Sequence, residues 1–343
     1  MRIAVDVMGG DNGPEVIVRG AVEALRTIDG DFDILLVGDE RVVWDIIARL
    51  KPERLPLFSV HAPEQIAMDE KAPRALRREK RGVSIVRCAT LVGEGRADAL
   101  VSAGNTGAVV TSSLLNLGRM PGIQRPAIGT TIPTPEGRCV MLDVGANADC
   151  KPMHLYQFAH MGRIFAQLVL EQENPRVGLL NIGEEETKGS ALAQAAHKLL
   201  AADRERLNFV GNVEGRDIFA GRADVVVCDG FTGNVILKLA GGIANVGARM
   251  AAHEIKRSPL IRLGALLMKP ALAGIKRRFD YEEYGGALLV GTRGISVICH
   301  GRSSPRAIRN AVRVALRAIR GDLEGTITRV LVEQGATSLP AAP

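Results

Sequence analysis

Five short apolar runs in this 343-residue chain each end in a turn rich in glycine, asparagine, aspartate or threonine. The runs are Ile3–Val7, Ala99–Ser102, Val140–Val144, Val177–Leu180 and Val225–Cys228. Most of the turns lead into a helical pattern, and a strand, a glycine-rich turn and a helix together direct backbone N–H groups at an anion. In an open parallel sheet such turns collect at the carboxyl edge. The feature therefore predicts one large polar cleft for a phosphate-bearing substrate.

The rest of the chain alternates between short strands and helical patterns. Eleven strands are predicted, and many are continuous runs of Val, Ile, Leu and Ala, which are typical of strands buried on both faces of a mostly parallel sheet. Pro14 and Pro305 stand where a first helical turn accepts proline. This order predicts a doubly wound α/β fold. Residues 331–343 are predicted to be a frayed tail.

Composition narrows the classes of function. Aromatic residues make up only 3% of the chain, which disfavours a base-stacking RNA binder. The five cysteines are far apart and never form C-x-x-C, so reduced thiols and a cytoplasmic location are expected. No uninterrupted run of about 18 apolar residues occurs, so no membrane span is expected. The net charge of +6 is compatible with an acidic partner and equally with an inert basic surface.

The common cofactor and metal motifs are missing from the sequence. The chain has no dinucleotide fingerprint, no phosphate-binding loop of the G-x-x-x-x-G-K-[ST] form, no H-E-x-x-H and no G-x-S-x-G elbow. Its six histidines form no i, i+4 pair. Neither a metal nor a cofactor is therefore expected.

Lys188 is the first candidate for chemistry, because it lies in the glycine-rich segment Gly183–Ser190 between a strand and a helix. A lysine there is a mobile charge beside free N–H groups, and it could hold a phosphate or stabilise an oxyanion. The alternative is a surface lysine that pairs with Glu184 or Glu185. The local sequence leaves both open.

The segment Asp229–Asn234 is the second candidate. Asp229 ends a buried strand, and Thr232 or Asn234 could donate a hydrogen bond to a ligand. The alternative is that Asp229 or Thr232 caps the following helix. Asn105 and Thr106 have the same two interpretations.

Six ordered segments together resemble the bacterial phosphate acyltransferases, which transfer acyl groups from acyl carrier protein to phosphate. The similarity runs from residue 3 to about residue 320. The segments are Met8–Asp11, Ser102–Ala108, Leu142–Asn147, Asn181–Gly189, Gly211–Asp217 and Cys228–Asn234.

The resemblance implies a reversible transfer of a fatty acyl group from acyl carrier protein to inorganic phosphate. The product is an acyl phosphate for phospholipid synthesis, and no cofactor takes part. It also implies a fold similar to phosphotransacetylases and to isocitrate and isopropylmalate dehydrogenases. That fold is a Rossmann-like α/β/α sandwich with a mostly parallel sheet and a smaller second lobe across a cleft, and residues 1–330 would form it as a single catalytic domain. The implied assembly is a homodimer at the membrane surface, with no nucleic acid partner and with a membrane-bound glycerol-3-phosphate acyltransferase as a further candidate partner.

By the same resemblance, Lys188 and Asn234 look like the catalytic pair, with Asp229 nearby. Seven further positions are assigned to substrate or phosphate binding: Gly104, Asn105, Thr106, Gly107, Asn147, Gly183 and Gly233. Phosphate is already a nucleophile and a thiolate leaves readily, so this reaction demands neither a catalytic triad nor a metal. The alternatives are a nicotinamide-dependent dehydrogenase of the same fold, a phosphotransacetylase that uses acyl-CoA, and a non-enzymatic adaptor for membranes or nucleic acid.

The segment 254–280 predicts an amphipathic helical hairpin. Pro259 can start its first helix, Leu263 and Leu267 share a face with Leu260, and Pro270 separates a second helix. Arg262, Lys269 and Lys276 recur every seven residues, which favours contact with a membrane surface or with the acidic carrier protein. The alternative is a dimer interface that buries the same leucines. A second basic rim for the carrier protein is formed by Arg74, Arg77, Arg78, Lys80 and Arg81.

Overall fold

One eleven-stranded sheet runs through the protein, in the order β3-β2-β1-β4-β11-β10-β5-β6-β9-β7-β8. The structure, a computed structural model, describes residues 1–51, 55–70, 82–135, 137–279 and 281–333. The basic rim at residues 74–81 and most of the predicted tail lie outside these ranges. The strands are β1 (Arg2–Asp6), β2 (Asp33–Gly38), β3 (Leu57–His61), β4 (Ala99–Ser102), β5 (Ala127–Pro133), β6 (Arg138–Leu142), β7 (Val177–Leu180), β8 (Phe209–Val213), β9 (Val225–Val227), β10 (Ala287–Val290) and β11 (Ile295–Ile298).

Helices cover both faces of the sheet. In the described ranges they are α1 (Pro14–Thr27), α2 (Glu40–Leu50), α3 (Ser84–Gly93), α4 (Thr106–Asn116), α5 (Pro152–Val169), α6 (Ala191–Ala202), α7 (Arg204–Leu207), α8 (Gly215–Ala220), α9 (Gly230–Lys256), α10 (Pro259–Leu267), α11 (Lys269–Phe279), α12 (Pro305–Arg320) and α13 (Leu323–Thr328). A 3₁₀ turn at Tyr281–Tyr284 precedes β10, and a π-helical turn at Arg329–Glu333 follows α13. The alternation of strands and helices confirms the predicted α/β class.

Strand direction reverses in the middle of the sheet. β10 is antiparallel to β11 and β5, and β5 is antiparallel to β6, whereas every other pairing is parallel. The sheet is mostly parallel, as predicted, but three consecutive reversals make β6 to β9 run opposite to β1 and β4. The prediction that all five turns share one edge of the sheet is therefore wrong. The turns after β1 and β4 leave one edge, and those after β6, β7 and β9 leave the other.

Side chains that alternate along a strand fill two cores, one on each face of the sheet. In β1, Ile3 and Val5 belong to the core that includes α1, α5 and α12, and Ala4 belongs to the core that includes α3 and α4. β6 divides in the same way, with Val140 and Leu142 on the first face. Because both faces are covered, most strand positions are apolar, which is the pattern that the sequence shows.

α9 departs from this buried architecture. It is 27 residues long, and many of its apolar side chains are exposed. Within the described ranges it is the one helix whose length and composition would allow it to cross a bilayer. The helix contains no uninterrupted apolar run of about 18 residues, because Lys238 and Arg249 interrupt it, so it was not predicted as a membrane span. α10 and α11 follow it, and Ser258 caps α10 by accepting a hydrogen bond from the Leu260 N–H.

Candidate functional site

A buried carboxylate organises the turn after β6. The two oxygens of Asp143 accept hydrogen bonds from the backbone N–H groups of Ile128, Gly145, Ala146 and Asn147, at 2.7–3.1 Å. Asp143 is fully buried, so the charge is balanced by these donors and not by water. The carboxylate thereby holds the turn from Gly145 to Asn147 in a single conformation.

Asn147 is tied to the same centre. Its side-chain Nδ2 donates to Asp143 Oδ2 at 2.8 Å and to the Pro126 carbonyl at 2.7 Å. Both hydrogens of the amide are therefore used inside the protein. The Asn147 carbonyl accepts from the Gly230 N–H at 2.8 Å, which joins the turn after β6 to the start of α9.

Glycines let these two segments approach closely. A Cβ atom on Gly230 would lie 2.7 Å from Asp143 Oδ2, and one on Gly233 would lie 2.0 Å from the Asp143 carbonyl oxygen. Neither separation is possible for a real side chain. Gly233, predicted as a binding residue, thus has a packing role as well.

The start of α9 carries the predicted residues Asp229 and Asn234. Asp229 is the N-cap, because its carboxylate accepts from the Thr232 N–H at 2.8 Å and from the Thr232 hydroxyl at 2.7 Å. Asn234, half-buried, lies beside the turn after β6, since a Cβ on Gly145 would be 3.9 Å from its Cβ and Cγ. The capping interpretation of Asp229 is confirmed, and a role of Asn234 in chemistry stays a prediction.

Lys188 lies exposed on the loop between β7 and α6. Glu184, one of its two candidate partners, instead forms a two-pronged ion pair with Arg222, and that contact lowers the pKa of Glu184. Among the residues that the structure describes, no acceptor is within hydrogen-bond distance of the Lys188 ammonium. Gly183 makes room for the lysine, because a Cβ there would be 3.1 Å from Lys188 Cγ.

Side chains from neighbouring elements brace this loop. Asn181 Nδ2 donates to the Lys188 carbonyl at 3.0 Å, and Gln194 Nε2 donates to the Thr187 carbonyl at 2.7 Å. Asn212 Nδ2 donates to the Glu185 carbonyl at 2.9 Å, and its Oδ1 is 3.0 Å from Nδ1 of the buried His197. The backbone that carries Lys188 is therefore held from α6 and β8.

A second buried carboxylate, Asp6, lies at the end of β1. It accepts from the hydroxyls of Ser84 and Ser102, each at 2.6 Å, and from the Gly9 N–H at 3.1 Å. Burial raises the pKa of Asp6, and these hydrogen bonds offset part of that rise. The Ser102 hydroxyl in turn accepts from the Gly104 N–H at 3.0 Å, so Asp6 shapes the turn after β4.

The turn after β4 contains four predicted binding residues, Gly104 to Gly107. The Asn105 side chain caps α4 through the Ala108 N–H, and its Nδ2 lies within 3.0–3.2 Å of the carbonyls of Ala67, Met68 and Glu70. In the described chain, the N–H groups of Thr106 and Gly107 meet no acceptor. These two exposed N–H groups at a helix start are suited to an anion.

Cysteines near the turn after β6 are protonated thiols at neutral pH. Burial raises the pKa of Cys228 well above its ordinary value, and it raises that of Cys150 to about 11, with Asp143 and Asp229 adding to the rise. The thiolate is the reactive form of cysteine. The site therefore does not favour an acyl-cysteine intermediate.

The structure thus groups the predicted residues into two sets. Asn147, Gly183, Lys188, Asp229, Gly233 and Asn234 all follow the adjacent, co-directional strands β6, β9 and β7. Gly104, Asn105, Thr106 and Gly107 follow β4 at the opposite edge. Asp143 and Asp6, which the sequence did not single out, are the carboxylates that shape the two sets.

The predicted contact residues of the hairpin lie apart from both sets. Leu263 and Leu267 are 56% and 77% exposed on α10, and the guanidinium of Arg262 donates to the Lys256 carbonyl at 2.8 Å. Lys269, also exposed, begins α11, and the backbone of Lys276 is part of the same helix.

Comparison with known proteins identifies a matching family model and close relatives of this chain. Residues 1–324 match the family model described as "Fatty acid synthesis protein". The phosphate acyltransferase of Heliobacterium modesticaldum is 53% identical over 322 residues, which are 93% of this chain and 94% of that protein. The phosphate acyltransferase of Moorella thermoacetica is 50% identical over 341 residues, 97% of this chain and 98% of that protein.

This chain belongs to the phosphate acyltransferase family. The family match covers all six segments that carried the resemblance and both carboxylate-centred turns. Among solved structures, a phosphotransacetylase from Streptococcus pyogenes aligns over 93% of this chain and 94% of its own, with a TM-score of 0.61 and 20% identity. That likeness concerns the fold alone.

Neither Asp143 nor Asp6 was predicted from the sequence as a site residue, and the reasons differ. Asp143 had a local signal, because an aspartate two residues before a Gly-Ala-Asn turn can accept several of that turn's N–H groups. Asp6 has one local partner, the Gly9 N–H, but its two hydroxyl partners, Ser84 and Ser102, are 78 and 96 residues away in sequence.

Proposed function

We propose that this acyltransferase moves a fatty acyl group from acyl carrier protein to inorganic phosphate, releasing an acyl phosphate and the carrier thiol. The observation that carries the proposal is the close relation to phosphate acyltransferases over nearly the whole chain. The acyl phosphate would serve phospholipid synthesis and would pass to a membrane-bound glycerol-3-phosphate acyltransferase.

The residues at the β6–β9–β7 edge suit this chemistry. A phosphate oxygen attacks the thioester carbonyl, a tetrahedral oxyanion forms, and the C–S bond breaks as the thiolate leaves. Lys188, whose ammonium has no ion-pair partner among the described residues, can stabilise the phosphate or the oxyanion, and Asn234 can donate an amide hydrogen bond to the reacting group. Asp229 orients the start of α9, which carries Asn234.

The positioning of the phosphate is the main catalytic contribution in this proposal. Phosphate needs no activation by a strong base, and holding two reactants in line can supply about 7–11 kcal/mol. The braced loop around Lys188 and the fixed turn around Asp143 are the rigid supports that such positioning requires.

The acyl donor distinguishes this proposal from the alternative of a phosphotransacetylase that uses acyl-CoA. The experiment compares kcat/KM for the same acyl group on acyl carrier protein and on coenzyme A, with phosphate saturating. The proposal expects a preference for the carrier protein. An equal or better rate with acyl-CoA would favour the phosphotransacetylase alternative, and no acyl transfer from either donor would favour the nicotinamide-dependent dehydrogenase.

A homodimer joined through α9 is part of the proposal. Val235, Leu239, Ile243, Val246 and Met250 are 48–65% exposed and are spaced by three or four residues, so they form one apolar stripe along the helix. This spacing is that of a helix–helix seam. A second copy of α9 is the partner that matches the stripe in length and in pattern.

The hairpin formed by α10 and α11 is proposed to meet the membrane surface. Leu260, Leu263, Leu266 and Leu267 are 56–78% exposed, and basic residues flank them on both sides. α10 has nine residues and is far too short to span a bilayer, so contact with the headgroup region is the geometry that it can adopt. Each lysine or arginine near an anionic surface adds about 1 kcal/mol to binding.

A further inference from the structure

A cavity of about 290 Å³ lies between α5, α12 and the 3₁₀ turn before β10. α5 and α12 pack on one face of the sheet, whereas α4 and the start of α9 pack on the other. None of the residues proposed for acyl transfer lines the cavity, and the start of α9, which carries Asn234, packs on the other face of the sheet. Its polar lining consists of Thr131, Arg138, Glu283, Tyr284, Asn310, Arg313 and Arg317.

Positive charge dominates this lining. Three guanidinium groups line the cavity with one carboxylate, that of Glu283, which is already paired at 3.1 Å with Arg306 outside the lining, and Arg317 has a further ion pair with Glu171 at 3.7 Å. In the part of the chain that the structure describes, neither Arg138 nor Arg313 has a carboxylate within ion-pair distance. The cavity therefore holds unbalanced positive charge.

Arg313 is the centre of this imbalance. Its guanidinium donates to Asn310 Oδ1 at 2.8 Å, and the same neutral oxygen also accepts from Arg309, at 3.2 Å. Partial burial and the charges of Arg309 and Arg317 lower the pKa of Arg313. Glu283 offsets part of this effect. Two half-buried guanidinium groups that share one amide oxygen would be stabilised by an added anion.

The other walls limit the kind of anion. Arg138 lies over the Tyr284 ring, 5.7 Å from its centroid, which orients the guanidinium at the cavity. The opposite wall is apolar and is formed by Phe165, Val169, Leu170 and Val314. The volume is near the lower end of small-molecule sites, so it admits a compact ligand and excludes a long acyl chain.

We propose that this cavity is a binding site for a small phosphate monoester that has a short apolar group. The phosphate would lie between Arg138, Arg313 and Arg317, whose planar forks match phosphate oxygens, and the apolar group would lie against Phe165 and Val169. The site does not depend on the proposed acyl transfer, and it would offer the protein a place to bind a phosphorylated metabolite away from the reacting groups.

The test uses phenyl phosphate as the probe and isothermal titration calorimetry as the measurement. All titrations are made in the Lys188→Ala background, so that binding at the proposed catalytic edge is weakened and the two sites are distinguishable. We expect one molecule bound per chain, and a loss of affinity of about tenfold or more when Arg313→Gln is added. Benzyl alcohol, which lacks the phosphate, should not bind.

Two further variants keep the test decisive. Arg138→Gln changes an exposed side chain and should weaken binding without disturbing the fold, even if Arg313→Gln proves unstable. Arg320→Gln is the matched control, because Arg320 is on the same helix but outside the cavity, where it donates to the Asp29 carbonyl. Unchanged affinity in both Arg313→Gln and Arg138→Gln, or an equal loss in Arg320→Gln, would overturn the proposal.

Discussion

The side-chain amide and the backbone N–H of Asn147 both donate to the same oxygen of Asp143, at 2.8 and 2.7 Å. With three further N–H donors on the other oxygen, Asp143 is the anchor of the turn that meets the start of α9. The position of Asn234 thus depends on a buried carboxylate that takes no direct part in the proposed chemistry.

The first prediction is that Asp143→Asn destabilises the protein by about 3 kcal/mol, because an amide NH₂ replaces an acceptor among several donors. Urea unfolding measures the change. Asp149→Asn, in the same turn but exposed, is the control and should stay within about 0.5 kcal/mol of wild type. Equal stability of the two variants would show that Asp143 does not anchor the turn.

Replacing Lys188 tests the proposed catalytic edge. Lys188→Ala should lower turnover by about 100-fold with the fold intact, since the side chain is exposed. Lys188→Arg should restore little, because a planar fork replaces a compact ammonium. Lys198→Ala, an exposed lysine on α6, serves as the control. A near-normal rate in Lys188→Ala would remove this residue from the mechanism.

Acid stability should depend on Asp203. Burial opposes its charged form, but His160, Arg206 and Tyr156 outweigh that effect and lower its pKa to about 2. A lowered pKa in the folded state means that the stabilisation is complete above about pH 4 and is lost as the pH falls towards 2. The difference in unfolding free energy between wild type and Asp203→Asn should therefore shrink by about 2 kcal/mol over that range. A constant difference would contradict the assignment.

Membrane contact should depend on α10. Leu263→Glu with Leu267→Glu removes apolar contact and adds negative charge, so co-sedimentation with anionic liposomes should be lost while activity in solution remains. Leu115→Glu, at a 71% exposed leucine on α4, is the matched control and should still sediment. A double variant that becomes monomeric or aggregates would place these leucines in the dimer core.

Dimerisation should depend on the α9 stripe. Leu239→Glu with Ile243→Glu should give a monomer in analytical ultracentrifugation, because a buried charge disrupts an apolar helix seam. The hairpin variant at Leu263 and Leu267 should remain dimeric in the same experiment. A dimer that persists in the α9 variant would assign the contact to another surface.

The sequence predicted the elements of the fold better than their directions. All eleven strands occur at the predicted apolar runs. Helices α1 and α12 begin at the predicted Pro14 and Pro305, and α4 begins at Thr106 in the predicted turn. A buried apolar run has the same pattern in either direction, however. The reversals at β10 and β5 come from long-range pairing, so the separation of the two sets of turns could not be predicted.

The candidate site also combines features that the local sequence predicts with long-range contacts that it does not. Local chemistry indicated that Asp229 and Asn105 could cap helices, and both do. Asn212 on β8 donates to the Glu185 carbonyl in the loop that carries Lys188, and these two residues are 27 positions apart in the sequence. No local pattern predicts this hydrogen bond. Short helices such as α7 and α8 were also missed, because four to six residues are too few to show a helical period.

The most direct test of the account is to incubate the protein with acyl carrier protein charged with a fatty acyl group and with inorganic phosphate, and to trap the product with hydroxylamine. The account predicts an acyl hydroxamate whose amount depends on phosphate and falls about 100-fold in Lys188→Ala. Release of free fatty acid without trapped acyl phosphate, or no consumption of the thioester by a folded protein, would contradict it.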